Sequence, residues 1–270
     1  MITLKTQQQI DQIKHNGLIL RAAVDKAIAA TKVGVTTEFL DNIIAQHIKS
    51  EGAIPTFKGY GNTPIRKGFP AASCQSLRDV LIHGVPSHEE IIYDGDIISI
   101  DVGVTKNGCI ADSCISYGIG NVTDIHRQLL DAAQKITMFG ISLCKPEVRI
   151  YELSSQIASY AESLGFITMP DFYGHGVGTH LHEEPKIPFS HLNLFKERIP
   201  NPRLQEGMVI TIEPVVAFPS CKYQYLENKN GWSIHTIDKS WSAQFEHTIR
   251  ITKTGSEILT GNFPSKLVYE

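Results

Sequence analysis

Apolar positions recur at helical spacing from Leu40 through Ile43, Ile44 and His47 to Ile48, with Thr36 or Thr37 placed to cap the start and Gly52 placed to end it. The same pattern returns later. Residues 20–40 (LRAAVDKAIAATKVGVTTEFL) resemble residues 130–153 (LDAAQKITMFGISLCKPEVRIYEL), and at one constant offset Leu40 matches Leu153, Ile44 matches Ile157, Ala45 matches Ala158, Ser50 matches Ser163 and Gly52 matches Gly165. Each half of the chain is therefore expected to open with two helices. Strand patterns follow each pair: residues 97–117 after the first, 207–217 and 242–252 after the second. Within the first, 97–104 reads as a strand, 105–108 as a turn carrying Asn107-Gly108, and 109–117 as the returning strand. No Pro/Ser-rich linker parts the two copies. The reading is one α/β domain over residues 1–270, with halves of about 1–120 and 121–270, in which helices cover a curved, mainly antiparallel sheet.

Five residues in these strand-like or Gly-bounded segments carry chemistry: Asp101, Asp112, His175, Glu213 and Glu246. A four-residue loop would set Asp101 opposite Asp112, and a two-residue Asn-Gly loop would make them diagonal neighbours; both arrangements put them on one face. One such acid pair on a wet strand would be ordinary. Four acids converging on one spot repel each other, however, and stay ionised only if dications neutralise them. One imidazole among four carboxylates, without thiolates, suits Mn, Fe, Co or Zn in a catalytic rather than a structural site. With two such ions ~3.5 to 4 Å apart, a bridging water ionises near neutral pH and attacks a carbonyl that an ion polarises. Two of the acids come from each half, so the site is expected at their seam.

Composition narrows the setting. A formal charge of -3 gives no electrostatic case for nucleic acid or an anionic membrane. The five cysteines (Cys74, Cys109, Cys114, Cys144, Cys221) never fall as C-x-x-C, which reads as reduced, cytosolic usage. The start, MITLKTQQQIDQIKHNG, has no secretory pattern, and no segment approaches the ~18 apolar residues of a membrane span. A cytoplasmic protein is expected.

The motifs FPAASCQS followed by IHGVP, DGDIISIDVGV, GHGVGTHLHEEP, GMVITIEP and SAQFEHTI, with Asp112 after Asp101, all stand in one order. In that order the chain resembles the methionine aminopeptidases of the short bacterial type I class, in the M24 metallopeptidase family, nearly end to end. The resemblance implies a pita-bread fold of two pseudo-symmetric halves and two divalent ions. It implies that Asp101 chelates one ion, Asp112 and Glu246 bridge both, and His175 and Glu213 hold the second. Glu213 would also shuttle the proton of the attacking water, His182 would meet the substrate carbonyl and its developing oxyanion, and His83 would lie near the scissile nitrogen. Phe69, Cys74, Leu181 and Trp232 would line the pocket for the methionine side chain, alongside His83 and His182. His180 is left to rim or packing, and His247 to a layer behind Glu246 on the opposite strand face.

The chain departs from its relatives in places. Thr63 and Arg66 stand where a cysteine and a tyrosine are common, Leu181 replaces a common phenylalanine, Arg78 replaces a frequent asparagine, and the stretch between His182 and Glu213 reads as longer, with a rim loop in its middle. The implied function is metal-dependent removal of N-terminal methionine, before a small second residue, from nascent or newly made chains, with ribosome contact and a monomeric state. Two alternatives remain: a pita-bread aminopeptidase of another specificity, such as a proline-related one, and a metal-free module that binds peptides or proteins without hydrolysis. Retention of the whole acid cluster disfavours the binder, since unpaired buried acids only cost stability.

Overall fold

The structure is a computed structural model that describes residues 2–65, 67–191, 199–225 and 231–269. Arg66 and residues 192–198, the middle of the stretch expected to form a rim loop, lie outside the described residues. Four helices open the two halves: α1 (Gln7–Ala30), α2 (Thr37–Ser50), α3 (Asp124–Leu143) and α4 (Ile150–Ser163). Helix α1 begins in a capping box, in which the Thr6 hydroxyl accepts from the Gln9 N–H and the Gln9 side chain accepts from the Thr6 N–H. For α2 the cap is Thr36, whose hydroxyl accepts from the Phe39 N–H at 3.2 Å.

Both second helices end alike. Gly52 at φ 66 and Gly165 at φ 84 take the left-handed conformation that a glycine adopts without strain. The Gly52 and Ala53 N–H groups return to Lys49 and Ile48, and the Gly165 and Phe166 N–H groups return to Glu162 and Ala161, closing the same Schellman turn twice. The sequence repeat is thus a structural one. The bounds of α2 and α4, and of the short strands β1 (Ile54–Pro55) and β6 (Ile167–Thr168) that follow, keep the same constant offset. Leu40 and Ile44 in one copy, and Leu153 and Ile157 in the other, are fully buried in a core shared by all four helices.

Among the described residues the strands form four hydrogen-bonded sheets. In the first, β2 (Ser73–Leu77), β1 and β5 (Cys109–Ile119) pair with β4 (Ile97–Lys106), and β16 (Val268–Tyr269) adds to β5 in parallel. The other large sheet runs β15 (Ser256–Ile258), β14 (His247–Ile251), β9 (Val209–Ile212), β7 (Tyr173–Gly176), β8 (Glu183–Pro188). Two three-stranded sheets complete the set: β13 (Ser242–Gln244), β10 (Val215–Ala217) and β6, then β11 (Tyr223–Tyr225), β12 (Ile234–Thr236) and β3 (Val80–Ile82). All the described pairings except β16 with β5 are antiparallel.

Two details of the strands set the site. Lys106 pairs with Cys109, so the β4–β5 turn is the two-residue Asn107-Gly108, with φ of 52 and 71. The strands expected over 207–217 and 242–252 are each cut in two. Ile212 pairs with His247 and Val215 with Gln244 in one unbroken register, which leaves Glu213 and Pro214 facing Glu246 and Phe245. Pro214 has no N–H to donate, so the ladder opens there. The Glu246 N–H, which by strand alternation faces away from that ladder, donates to the Cys114 carbonyl of the other half at 2.9 Å.

Candidate metal centre and active-site cavity

The seam between the halves is stitched by hydroxyls. Ser113 Oγ donates to the Glu246 carbonyl at 2.6 Å, and Ser116 Oγ donates to the Gln244 carbonyl and accepts from the Gln244 N–H, both at 2.8 Å; within the second half, Thr137 Oγ1 donates to the Phe245 carbonyl at 3.0 Å. Thr248 Oγ1 accepts from the Asp112 N–H at 3.0 Å and donates to the Asp112 carbonyl at 2.7 Å. Short hydroxyl side chains here let β5 lie against β13 and β14 where no continuous ladder exists. The backbones of Asp112 and Glu246 are thereby fixed side by side.

The diagonal register of β4 and β5 places Asp101 across from Cys114, and Asp112 across from Gly103. Asp101 therefore stands between Cys114 and Cys74, its cross-strand neighbour in β2. Among the described residues, ligand atoms of Asp112, His175 and Glu246 lie within 4.8 Å of one another. Glu213 Oε1 joins them, 3.4 Å from His175 Nε2, while Asp112 Oδ2 is 3.9 Å from the same nitrogen. Asp101 stands outside that tightest group but lines the same cavity.

The imidazole is oriented for this company. His175 Nδ1 sits 3.0 Å from the Gly176 carbonyl, an arrangement that puts its hydrogen on Nδ1 and turns the Nε2 lone pair to the acids. Its backbone N–H donates to Thr211 Oγ1, which in turn donates to Glu213 Oε1 at 2.6 Å. Gln244 Nε2 reaches Glu213 Oε2 at 3.4 Å.

Burial and mutual repulsion dominate the electrostatics. Burial drives the Asp101 carboxyl up to about 7 and Glu213 up to about 8. Asp112 and Glu246 are also raised well above the carboxylate range, by burial first and then by neighbouring carboxylates. His175 is pushed down to about 3, by burial and then by His182. Asp101 Oδ1, Asp112 Oδ1 and Glu246 Oε1 are buried with no hydrogen-bond partner. Orphaned oxygens beside an imidazole lone pair are the donor set that a divalent cation completes. The residues present fit such an ion.

The acids close one end of a cavity of about 160 Å³. All the residues expected at the site line it: Asp101, Asp112, His175, Glu213 and Glu246, with His83, His182, Phe69, Cys74, Leu181 and Trp232. Trp232 meets Phe69 edge-on at 5.5 Å and packs over Gly61, where an added Cβ would come within 2.9 Å of the indole. His83 holds φ 57, a left-handed conformation uncommon for a side-chain-bearing residue, at the mouth where this cavity meets an outer one of about 500 Å³. His180 is exposed and its ring nitrogen lies near Thr179 Oγ1. His247 is buried behind Glu246, stacked on Phe263 at 3.8 Å with Nδ1 bonded to Thr260.

Three lining residues were not foreseen: Phe57, Tyr60 and Ile82. Tyr60 sets its hydroxyl 2.5 Å from His182 Nδ1, and the two rings meet edge-on. Phe57 and Tyr60 form part of the cavity wall, and Thr63 is exposed. The available signal was the pair of glycines flanking Tyr60, which mark a chain folded close to its neighbours. Arg78 points away from the cavity, into bidentate contact with buried Asp96 at 2.9 and 2.7 Å. Of the stretch before Glu213, the part from Ile199 to Leu204 docks on the start of α4: the Ile150 N–H bonds Pro202 and the Leu204 N–H bonds Val148.

Comparison with known proteins shows the family and the fold. Methionine aminopeptidase 1 of Bacillus subtilis is 37% identical over 260 residues, covering 96% of this chain and 99% of that protein. Crystal structures of methionine aminopeptidase from Thermotoga maritima and from Rickettsia prowazekii each superpose with a TM-score of 0.88, at 32% and 31% identity, over 97% of this chain and all of theirs. The model of metallopeptidase family M24 matches residues 11–253. The architecture is the pita-bread fold, and the chain belongs to metallopeptidase family M24.

Proposed function

We propose that the protein is a methionine aminopeptidase that uses divalent metal to remove the N-terminal methionine of newly made polypeptides ahead of a small second residue. The observation that carries the reading is a cluster of buried, partnerless carboxylate oxygens at the closed end of a largely apolar cavity, on a chain of this family. Asp101, Asp112 and Glu246 would hold one ion, and Asp112, Glu246, His175 and Glu213 a second; Mn, Fe, Co and Zn suit those donors. Bound there, the ions would neutralise the acids, lower the pKa of water and polarise a peptide carbonyl.

The side chains supply the rest. Phe69, Cys74, Leu181 and Trp232 offer an unbranched thioether an apolar slot walled partly by sulfur. Glu213, held by Thr211 and Gln244, takes the proton of the attacking water on its carboxylate. With Tyr60 donating to Nδ1, His182 carries its hydrogen on Nε2 and donates it to the carbonyl oxygen as charge develops there. His83, at the mouth, faces the departing amine. No helix among the described residues is long and apolar enough to cross a membrane. A monomer acting in the cytoplasm, near emerging chains at the ribosome, fits this reading.

The test is release of methionine from a Met-Ala-Ser peptide by the purified protein loaded with Mn, Fe, Co or Zn, beside Met-X and non-Met peptides. Turnover of Met-Ala-Ser but not Leu-Ala-Ser is expected. Absence of turnover with all four metals would sink the proposal.

A further inference from the structure

Lys5 lies just before α1, far in sequence from the site, yet its side chain is only 2% exposed. Its Nζ donates to Glu183 Oε2 at 2.6 Å and to the Thr3 carbonyl at 2.9 Å. Its backbone N–H donates to the Gly207 carbonyl at 2.8 Å, where the chain enters β9. The other oxygen of Glu183 gathers the loop that precedes it: Oε1 accepts from the Thr179 N–H at 2.8 Å, the His180 N–H at 3.0 Å and Thr179 Oγ1 at 3.3 Å. Burial raises the Glu183 carboxyl, but hydrogen bonds from Lys5 and His180 more than offset this and hold it below its usual value.

That loop starts at His175 and ends at His182, whose rings meet edge-on at 4.3 Å. Gly178 lies inside it because no side chain fits: an added Cβ would stand 2.2 Å from Lys5 Cε and 2.9 Å from Glu183 Oε1. The loop is thus wrapped on a carboxylate that a lysine from the first turn of the chain neutralises. A buried ion pair contributes little net stability against hydrophobic replacements, so stability alone does not account for it. Fixing one conformation of a short polar loop does.

We infer that Lys5 and Glu183 act as one positioning device for the reaction, a clamp that sets the loop from Gly176 to Glu183 and so places His182 over the cavity. Neither residue touches the cavity's acids. The inference rests on the role proposed for His182, and its test separates the two.

Lys5→Met keeps the volume of the stem without the charge, and Glu183→Gln keeps the volume and one acceptor. In the metal-free protein, hydrogen exchange at the Thr179 and His180 amides is expected to accelerate about 10-fold or more in either variant, with amides in the middle of α3 unchanged. In the Mn-loaded protein, kcat is expected to drop about 10-fold while KM and Mn affinity stay within about 3-fold. The double variant is expected to be no worse than the weaker single variant, because the two act as a unit. Lys5→Arg should recover part of the loss. Unchanged exchange, or kcat and Mn affinity falling together, would overturn the clamp. A wild-type protein that exchanges as expected but cleaves no peptide would instead overturn the function, leaving exchange to decide the clamp. Should Lys5→Met fail to fold, the Glu183→Gln exchange and kinetics decide alone.

Discussion

The two halves begin alike and diverge where the chemistry lies. In the first, β4 and β5 form an unbroken hairpin, and Asp101 and Asp112 project from it as diagonal neighbours. In the second, the corresponding pair keeps its register but opens at Glu213-Pro214 against Phe245-Glu246. The difference shows how a duplicated scaffold gains a site. One copy supplies a rigid ladder, while the other opens its own and turns the outward backbone groups of Gln244 and Glu246 to the first copy, so that two more acids meet the first pair. Acids held by both copies report on the seam itself, so their removal is the harshest way to break the comparison. Glu213→Gln and Asp112→Asn are expected to lower turnover at least ~100-fold with the fold retained, from lost base and metal contributions. Circular dichroism and peptide assays check both, and activity within ~10-fold of wild type would contradict the assignment.

The second prediction concerns the acids as a group, through pH. Burial pushes Asp101 and Glu213 up to about 7 and about 8 in the fold, and Asp112 and Glu246 are raised well above the carboxylate range. Unfolded carboxyls ionise near ~4. The fold therefore retains protons that the unfolded chain has lost, and its stability falls as pH rises through that interval. His175 and His247, both pushed down to about 3, act in the opposite sense, but unfolded histidine is half neutral at ~6.5 and their effect is complete by about pH 7.5. Between about pH 7.5 and 8.5 the acids dominate, and the buried cysteines, also raised, act in the same sense. The Tm of protein held in EDTA should fall across that window. With Mn present the trend should weaken or reverse, since binding displaces those protons. A metal-free Tm that is flat or rising would refute the clustering of charge.

Much of this comparison was legible in the sequence. The helical stripe, the capping threonine and the glycine stop each leave a residue-level mark, and the second copy preserves the stripe and the stop. The acids were legible because they interrupt otherwise apolar strand patterns. The turn register was not, because Asn107-Gly108 permits more than one loop length until the ladder pairs Lys106 with Cys109. Pro214 was visible, but its effect depends on which strand lies opposite. Tyr60 and Phe57 were not legible because they lie outside the motifs, and only the fold brings residues 57–60 against Phe69 and His182. Arg78 looked like a site residue by position; its partner, Asp96, is set by the fold.

A smaller perturbation tests the seam without touching a carboxylate. Thr248→Val removes the hydroxyl that serves both the N–H and the carbonyl of Asp112, leaving those buried groups without that partner. A loss of about 1 to 3 kcal/mol is expected from urea unfolding, the range for orphaned buried polar groups. Ser99 offers a control within the first half, where its hydroxyl bonds only Ser116 at 2.6 Å. Ser99→Ala should cost less than Thr248→Val. If the two losses match, the seam is no more demanding than the interior of one copy.

The mildest prediction returns to the helices, where the copies solve one problem differently. Helix α2 is capped by its own Thr36, but at the equivalent place before α4 stands Arg149, whose side chain makes no cap. There Asn201, from the segment leading toward Glu213, accepts the Tyr151 N–H on its Oδ1 at 2.9 Å. A cap supplied from a distance satisfies an orphan donor one residue earlier in the helix than the one Thr36 serves, and also anchors the incoming chain, whose Ile199 carbonyl accepts from the Tyr151 hydroxyl at 2.5 Å. Thr36→Ala and Asn201→Ala should each cost about 1 kcal/mol, as cap removal does elsewhere. They should differ in reach: Thr36→Ala should speed amide exchange only at the start of α2, whereas Asn201→Ala should also speed exchange at Leu204, whose N–H bonds Val148. Equal and purely local effects would show that the borrowed cap holds its helix and nothing more.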